Sequence, residues 1–224
     1  MKKQAMWILT VTVMVALLGS TALAQSQKPL VKMETSKGVI VIELDPKAAP
    51  KTTENFLAYV KSGFYDGTLF HRVIKGFMIQ GGGLTPDMQR KPTQPPIMNE
   101  ADNGLKNLKG TIAMARTSDP HSATSQFFIN TANNAALDFT SKNQMGWGYC
   151  AFGKVTQGMD VVQAIEGVGT TIRAGQRDVP TEPVIIIKAT VIGAGTLSTP
   201  TPAPTLAPTP TSVPSATASP PVKK

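Results

Sequence analysis

Short runs in which apolar residues alternate with polar ones, or follow one another without a break, dominate the middle of the chain. Alternation with a period of two places successive side chains on opposite faces of a strand, so each run predicts a β-strand. The runs are Leu30–Thr35, Val39–Leu44, Leu69–Ile74, Phe77–Gln80, Thr111–Ala115, Phe127–Asn130, Cys150–Val155 and Val184–Val191. Eight short strands in one open sheet would leave long unpaired edges. The pattern therefore predicts an all-β fold in which the sheet is closed into a barrel or stacked as a sandwich.

Two other stretches have apolar residues at the spacing of an amphipathic helix. In PKTTENFLAYVKSG the apolar residues on one face are Phe56, Leu57, Tyr59 and Val60. Thr52 or Thr53 is the expected N-terminal cap of this helix, and Gly63 is its expected end. In GMDVVQAIEGVG the corresponding residues are Val161, Val162 and Ile165, and Gly167 follows the last turn. Two helices beside eight strands predict a barrel whose ends are plugged by helices.

Two segments between the predicted strands, residues 82–109 and 133–147, are long. Loops of this length inside a compact domain are usually functional or carry structure of their own. Neither segment is therefore expected to be a simple connection.

The first 24 residues have the order of a secretory signal peptide. Two lysines come first, an apolar run follows from about residue 5 to residue 18, and the small-residue cleavage site Ala22-Leu23-Ala24 ends the segment. The run is shorter than the ~20 apolar residues that a membrane-spanning helix requires, so cleavage is expected over retention as an anchor. Gln25 follows the cleavage point instead of cysteine, which argues against a lipoprotein. We expect an exported protein in the periplasm, the cell envelope or the extracellular space, with no stable membrane insertion after cleavage.

Residues 194–224 consist mainly of Pro, Thr, Ser and Ala. Proline cannot enter a β-ladder or a helix interior, and the segment has too few apolar residues to form a core, so it is expected to stay extended and solvated. A spacer, an O-glycosylated stalk, a wall-associated tail and a tail with no binding role all fit this composition. Residues 28–193 remain as one domain, because about 165 residues suffice for one core and are too few for two comfortable ones.

Charge and cysteine content narrow the possible functions. The formal net charge is +8; without Lys2 and Lys3 it is +6, and without Lys223 and Lys224 as well, +4 remains for the domain. This excess is scattered, with no basic run or arginine–aromatic stripe, so nucleic-acid binding is weakly supported. The single cysteine, Cys150, excludes an intrachain disulfide, and its apolar neighbours predict a small core residue instead of a nucleophile.

The sequence patterns of common metal, phosphate and hydrolytic sites do not occur. His71 and His121 are the only histidines, and neither belongs to an HExxH motif or a Cys/His cluster, so no metal site is expected. Gly81-Gly82-Gly83 lacks the lysine and the helix that a phosphate-binding loop requires. No GxSxG elbow is present, although counting residue types does not by itself exclude a Ser/His/Asp triad.

The most distinctive stretches are FHRVIKGFMIQGG, residues 70–82, and GTIAMAR with SQFFIN, residues 110–116 and 125–130. A hairpin with its turn at Lys75-Gly76 would bring the arginine of the first stretch near its Phe, Met and Gln. Both stretches closely resemble the signatures of the cyclophilin family of peptidyl-prolyl isomerases. TENF and FGKVTQGMDVV extend the resemblance over about Val31 to Ile192. ARTSDPHSATSQFFIN and GWGYCAFGKV are similar to the bacterial members in particular.

The resemblance implies a fold and a set of functional residues. The family fold is a closed eight-stranded antiparallel barrel with two capping α-helices, in agreement with the strand pattern. Arg72 matches the catalytic arginine of the family. For substrate binding the resemblance implies Phe77 and Met78 as the floor of a proline pocket, Phe128 and Leu137 as its wall, Gln80 as the residue that orders the arginine and bonds the substrate backbone, Ala115 and Arg116 as the strand beside the peptide, and Tyr149 at a position often held by histidine. No metal or cofactor is implied.

The implied reaction is rotation about the peptide bond that precedes proline, against a barrier of ~18–20 kcal/mol. At the twisted transition state the proline nitrogen gains a lone pair, and a guanidinium aimed at it binds the twisted form better than either planar form. We expect Phe127 to face the core, because strand alternation turns it away from Phe128. We expect His71 to be structural, because this mechanism needs no acid or base.

The expected partners are proline-containing segments of other exported proteins, bound by a monomer. Ala136 stands where many relatives carry tryptophan or phenylalanine, so a shallower rim and weak binding of cyclosporin-type macrocycles are expected. One alternative is a module or chaperone that binds proline segments with incidental turnover, and a more distant one is a lectin-like or structural barrel. Arg72 favours catalysis, because a pure binding module has little need for a guanidinium at the ring nitrogen.

Overall fold

Residues 28–193 are described by a computed structural model. The predicted signal peptide, residues 1–24, and the predicted tail, residues 194–224, lie outside the described residues. The strands and helices are β1 (Leu30–Thr35), β2 (Gly38–Leu44), α1 (Pro50–Lys61), β3 (Thr68–Ile74), β4 (Met78–Gly81), β5 (Thr111–Met114), β6 (Phe127–Asn130), β7 (Ala151–Gln157), α2 (Met159–Glu166), β8 (Thr170–Arg173), β9 (Gln176–Pro180) and β10 (Val184–Ile192). Short 3-10 turns at Ala101–Asn103 and Ala135–Leu137 lie in the two long loops.

Eight of these strands close into an antiparallel barrel in the order β1-β10-β3-β4-β6-β5-β7-β2. They are the eight strands that the sequence pattern predicted, with bounds that differ by a few residues. Closure pairs β1 with both β2 and β10, so the barrel itself presents no unpaired edge. The prediction of a closed eight-stranded barrel with two helices is confirmed.

The barrel interior is filled by residues that face one another across neighbouring strands. Val73, Ile79, Ile129 and Ile112 form one such row across β3, β4, β6 and β5, and each is at most 2% exposed. Phe127 of β6 is fully buried, and its ring contacts the rings of Phe56, Tyr65 and Phe70. The prediction that Phe127 belongs to the core is confirmed.

The start of α1 differs from the sequence prediction. The helix begins at Pro50, so Thr52 and Thr53 lie inside its first turn and neither side chain caps it. The carboxylate of Glu100 accepts hydrogen bonds from the backbone N–H groups of Lys51 and Thr52, at 3.2 and 2.8 Å. The prediction of a threonine cap was wrong, because a carboxylate from a distant loop satisfies the free N–H groups at the helix start.

The end of α1 and the core face of α2 follow the sequence pattern. Gly63 comes directly after the C-terminal cap, Ser62, and adopts a left-handed φ of +68°, which glycine tolerates at no steric cost. Val162 and Ile165 of α2 are fully buried against the barrel. Both predicted helices are therefore confirmed.

A hairpin outside the barrel, β8–β9, was not predicted from the sequence. The strand β8 has the sequence TTIR, which shows no alternation of apolar and polar positions, and every one of its residues is exposed. The hairpin is anchored by Val179 of β9, which is buried against Leu69, Leu84 and Met88. Through this contact β9 packs beside β3, the strand that carries Arg72.

Candidate active site

One row of side chains crosses four neighbouring strands on the outer face of the barrel. Arg72 of β3 pairs with Gln80 of β4, Gln80 pairs with Phe128 of β6, and Phe128 pairs with Ala113 of β5. Residues directly opposite each other point to the same face of a sheet, and the adjacent row fills the barrel interior. Since neighbouring strands lie about 4.8 Å apart, the backbones at Arg72 and Phe128 are about 10 Å apart. The two predicted site residues therefore share one outward face.

The apolar residues predicted to bind the substrate gather in a second cluster, separate from the barrel interior. This pocket cluster contains the buried residues Met78, Ala113, Phe128 and Ala151, packed against Ile74, Phe77, Leu105, Ala115, Leu137 and Tyr149. Met78 and Phe128 are 2% and 3% exposed and form its base. Phe77, Leu137 and Tyr149 are partly exposed around them, and the Tyr149 ring lies edge-on to Phe128 with centroids 5.6 Å apart. The cluster is an apolar surface of the kind that receives a small apolar ring.

Two glutamine side chains lie beside the row. Gln80 Nε2 donates a hydrogen bond to Gln126 Oε1 at 2.9 Å. A Cβ at Gly83 would lie 2.5 Å from Gln126 Cγ, so glycine at that position makes room for the Gln126 side chain. Sequence reasoning assigned no role to Gln126. The position of Gln126, two residues before Phe128, could have indicated a role, since strand alternation places such residues on the same face of a strand.

The guanidinium of Arg72 has an acidic neighbour from the unpredicted hairpin. Arg72 Nε lies 3.9 Å from Asp178 Oδ2, and the two side chains are 45% and 41% exposed. This distance is too long for a hydrogen bond but allows electrostatic attraction. Asp178 has a left-handed backbone φ of +61°, a conformation that aspartate tolerates better than most residues.

Arg116 is engaged within the protein itself. Its Nε donates to the carbonyl of Gly148 and its Nη1 to the carbonyl of Thr117, both at 2.8 Å, and its guanidinium lies 4.6 Å from the centre of the Tyr149 ring. The N–H of Ala115 donates to the carbonyl of Gln126 at 2.9 Å. Arg116 thereby supports the Tyr149 side of the pocket cluster, and its predicted contact with a substrate stays a prediction.

The 3-10 turn Ala135–Leu137 forms one side of the pocket cluster. The N–H of Tyr149 donates to the carbonyl of Leu137 at 2.8 Å, which joins this turn to the segment that leads into β7. Ala136 is exposed and presents only a methyl group. The expected shallow rim and the weak macrocycle binding that follows from it stay predictions.

Two buried titratable side chains lie near the site. Burial lowers the pKa of His71 to about 4 and raises the pKa of Cys150 to about 12. Cys150 also lines a small cavity with Thr52, Met114 and Arg116, beside the pocket cluster. The thiol is neutral at physiological pH, as expected of a core residue and not of a nucleophile.

His71 is expected to make the stability of the protein depend on pH. Its pKa falls from 6.5 in the unfolded chain to about 4 in the fold, so its contribution is complete above pH 6.5 and is lost as the pH falls toward 4. Between pH 7.5 and pH 5 the loss is about 2 kcal/mol in the free energy of unfolding. Urea unfolding of the wild type and of His71→Gln at both pH values measures this loss in the free energy of unfolding. An equal loss in both proteins would assign the effect to other groups.

Residues 28–193 contain no group of three or more His, Cys, Asp or Glu side chains arranged to hold a metal ion. No helix in the same range is both long and apolar enough to cross a bilayer.

Comparisons with known proteins find relatives over most of residues 28–193. A family model described as cyclophilin type peptidyl-prolyl cis-trans isomerase/CLD matches residues 30–191. Peptidyl-prolyl cis-trans isomerase cyp18 of Streptomyces antibioticus is 63% identical over 163 residues, which are 73% of this chain and 98% of the relative. Peptidyl-prolyl cis-trans isomerase B of Escherichia coli is 55% identical over 72% of this chain and 99% of its own length. A crystal structure of a Cryptosporidium parvum cyclophilin in the presence of the dipeptide Ala-Pro matches with a TM-score of 0.62 and 29% identity, over 74% of this chain and 99% of that one.

Proposed function

The chain belongs to the cyclophilin family of peptidyl-prolyl cis-trans isomerases, and on that premise we propose that Arg72 and the pocket cluster form its active site. The observation that carries the proposal is the row from Arg72 through Gln80 to Phe128 on one outward face. A charged donor and an apolar surface thus stand about 10 Å apart at the backbone. An arginine side chain spans much of that distance.

In the proposed mechanism the proline ring packs against Phe128 and Met78, and this contact removes water from the prolyl bond. The Arg72 guanidinium donates to the nitrogen lone pair that develops as the bond twists. Exclusion of water strengthens this hydrogen bond, and arginine keeps its charge at any physiological pH. An uncatalysed rotation takes tens to hundreds of seconds, so four decades of acceleration require roughly 5.5 kcal/mol of transition-state stabilisation.

We assign Gln80 and Gln126 to the backbone of the substrate. Their side-chain amides are bonded to each other, which restricts both to one orientation. Gln80 stands between Arg72 and Phe128 in the row, where the residues flanking proline would pass. Pairing there holds one side of the prolyl bond still while the other side turns.

An exchange assay and a binding titration test this proposal together. An Ala-Pro peptide is titrated into isotope-labelled protein, and its cis/trans exchange rate is measured by NMR. We expect the largest chemical-shift changes at Phe77, Met78 and Phe128, together with faster exchange. Binding at these residues with no acceleration would indicate a proline-binding module instead. Shifts confined to another face would overturn the assignment of the site.

The proposal extends to the place of action and the partners. The signal-peptide pattern of residues 1–24 supports export, and proline-containing segments of other exported proteins are the proposed substrates. We propose that the protein acts as a monomer. The mass of the mature protein tests cleavage after Ala24 and any sugar on residues 194–224 in one measurement. A mature protein that starts at Met1 would contradict cleavage.

Asp178→Asn is expected to lower kcat/KM by less than about fivefold. The Arg72–Asp178 pair is partly exposed, and exposed pairs contribute about 0.2–1 kcal/mol. The fall in kcat/KM is expected at low salt and should become smaller above 0.5 M salt, because salt screens exposed charges. Glu182→Gln, which removes an exposed carboxylate near Lys37, is the matched control. A loss that does not change with salt would argue against electrostatic support of Arg72.

A further inference from the structure

The two long loops of the sequence, residues 82–109 and 133–147, meet behind the pocket cluster. Asn107 of the first loop is 1% exposed, and its carbonyl accepts a hydrogen bond from the N–H of Asn134 of the second at 2.8 Å. The N–H of Asn107 donates to Asp138 Oδ1 at 2.7 Å. Buried polar contacts therefore join the two loops, and such contacts are specific in their geometry.

The side chain of Asn107 holds two walls of the pocket cluster. Its Nδ2 atom lies 3.1 Å from the carbonyl oxygen of Leu137 and 3.2 Å from that of Tyr149. It also lies 3.2 Å from Asp138 Oδ1. An amide NH₂ has two protons, so it bonds both carbonyls at once with Asp138 as a competing acceptor. This buried group thus adds a second link between the backbones of the two wall residues, beside the direct bond from the Tyr149 N–H to the Leu137 carbonyl.

Two further asparagines extend this link to Phe77, on another side of the pocket cluster. Asn134 Nδ2 donates to the carbonyl of Phe77 at 2.8 Å and to Asn130 Oδ1 at 2.6 Å. Asn130 Nδ2 donates to Asn107 Oδ1 at 3.2 Å and to Thr111 Oγ1 at 2.9 Å. We call Asn107, Asn130 and Asn134 the asparagine network. It connects Phe77, Leu137 and Tyr149, the three partly exposed residues around the base of the pocket cluster.

We propose that the asparagine network sets the width of the proline pocket and that Asn107 is its central positioning residue. This inference rests on the proposed function, because it concerns the affinity of that same pocket. Asn107 is buried behind the cluster, so it acts through Leu137 and Tyr149. Arg72 is held by β3 at the other end of the row, and none of the bonds of the network reaches it. The network therefore governs binding of the ring and leaves the catalytic hydrogen bond unchanged.

Asn107→Ala in the full chain is the main test. The variant leaves the carbonyls of Leu137 and Tyr149 without their shared donor, so the walls are expected to relax. We expect the KM for an Ala-Pro peptide to rise about five- to twentyfold, with kcat within about twofold of wild type, as for lost binding energy that is common to ground and transition states. Unfolding measurements and the dissociation constant of the peptide are taken on the same samples.

Thr35→Val is the matched control, because Thr35 is 3% exposed and its side chain bonds only within the β1–β2 turn. It is expected to lose stability without a change in KM. Asn134→Ala, which removes from a partly exposed position one of the two donors to the Phe77 carbonyl and leaves the N–H of Thr131, is the second variant should Asn107→Ala fail to fold. It is also expected to raise KM. An unchanged KM in the folded variants, or an equal fall of kcat in variant and control, would overturn the inference.

The two proposals fail differently in this experiment. If the site is wrongly assigned, wild type itself shows no binding at Phe77 and Phe128. If only the role of the network is wrong, wild type binds there and Asn107→Ala binds equally well.

Discussion

Arg72→Ala is expected to lower kcat/KM about 100- to 1,000-fold, the range for loss of one preorganised donor to a transition state. Most of the loss should appear in kcat, because the twisted nitrogen accepts the hydrogen bond and the planar nitrogen does not. The side chain is 45% exposed and makes one long ion pair, so stability should stay within about 0.5 kcal/mol of wild type. NMR exchange of an Ala-Pro peptide under saturation measures kcat directly.

Two further variants sharpen this result. Arg72→Lys keeps the charge but replaces the planar fork with a single ammonium, so an activity between those of wild type and Arg72→Ala is expected. Arg177→Ala removes an exposed arginine from the neighbouring strand β9 and should leave the rate unchanged. An activity of Arg72→Ala within threefold of wild type would remove Arg72 from the mechanism.

The adjacent residues Phe127 and Phe128 are expected to give opposite results when each is replaced by alanine. Phe127→Ala should lower the free energy of unfolding by about 3–5 kcal/mol, because the ring is fully buried among Phe56, Tyr65 and Phe70. Phe128→Ala should cost about 2 kcal/mol, since it leaves a smaller outer cluster. It should also raise the KM for an Ala-Pro peptide more than tenfold.

Urea unfolding and exchange kinetics on both variants measure this contrast. The kinetics are compared at a temperature where each variant is folded, so that a smaller folded fraction is not mistaken for weaker binding. The opposite pattern, with Phe127→Ala raising KM and Phe128→Ala the less stable protein, would mean that the two faces of β6 are assigned the wrong way round.

Strand alternation predicted which face of β6 lies in the core, and it failed where burial is set by distant residues. Phe127 and Phe128 follow the period of two, so their faces were correctly inferred. The hairpin β8–β9 was missed, because β8 is exposed on both faces and β9 is buried only at Val179 and Pro180, where Val179 packs against residues distant in the chain. Asp178, the acidic neighbour of Arg72, was missed with it.

The helix cap was predicted wrongly, and the buried polar contacts were not predicted, for a related reason. Thr52 and Thr53 are good local caps, yet Glu100 performs this role from 48 residues away from Thr52. The bonds of Asn107 to Leu137 and Tyr149 span 30 and 42 residues. No periodicity in the sequence encodes such a pairing, because each partner looks like an ordinary polar residue in a loop.

The sequence by itself determined the eight barrel strands and the two helices, because they depend on side-chain periodicity, which is a local property of the chain. The resemblance to the cyclophilin family, and not periodicity, supplied the residues of the proposed site. Only the tertiary structure decided which polar residues stand beside Arg72 and behind the pocket cluster, Asp178 and Asn107 among them. Their partners become neighbours only when the barrel closes and brings distant loops together, since hydrogen bonds and ion pairs act over a few ångströms.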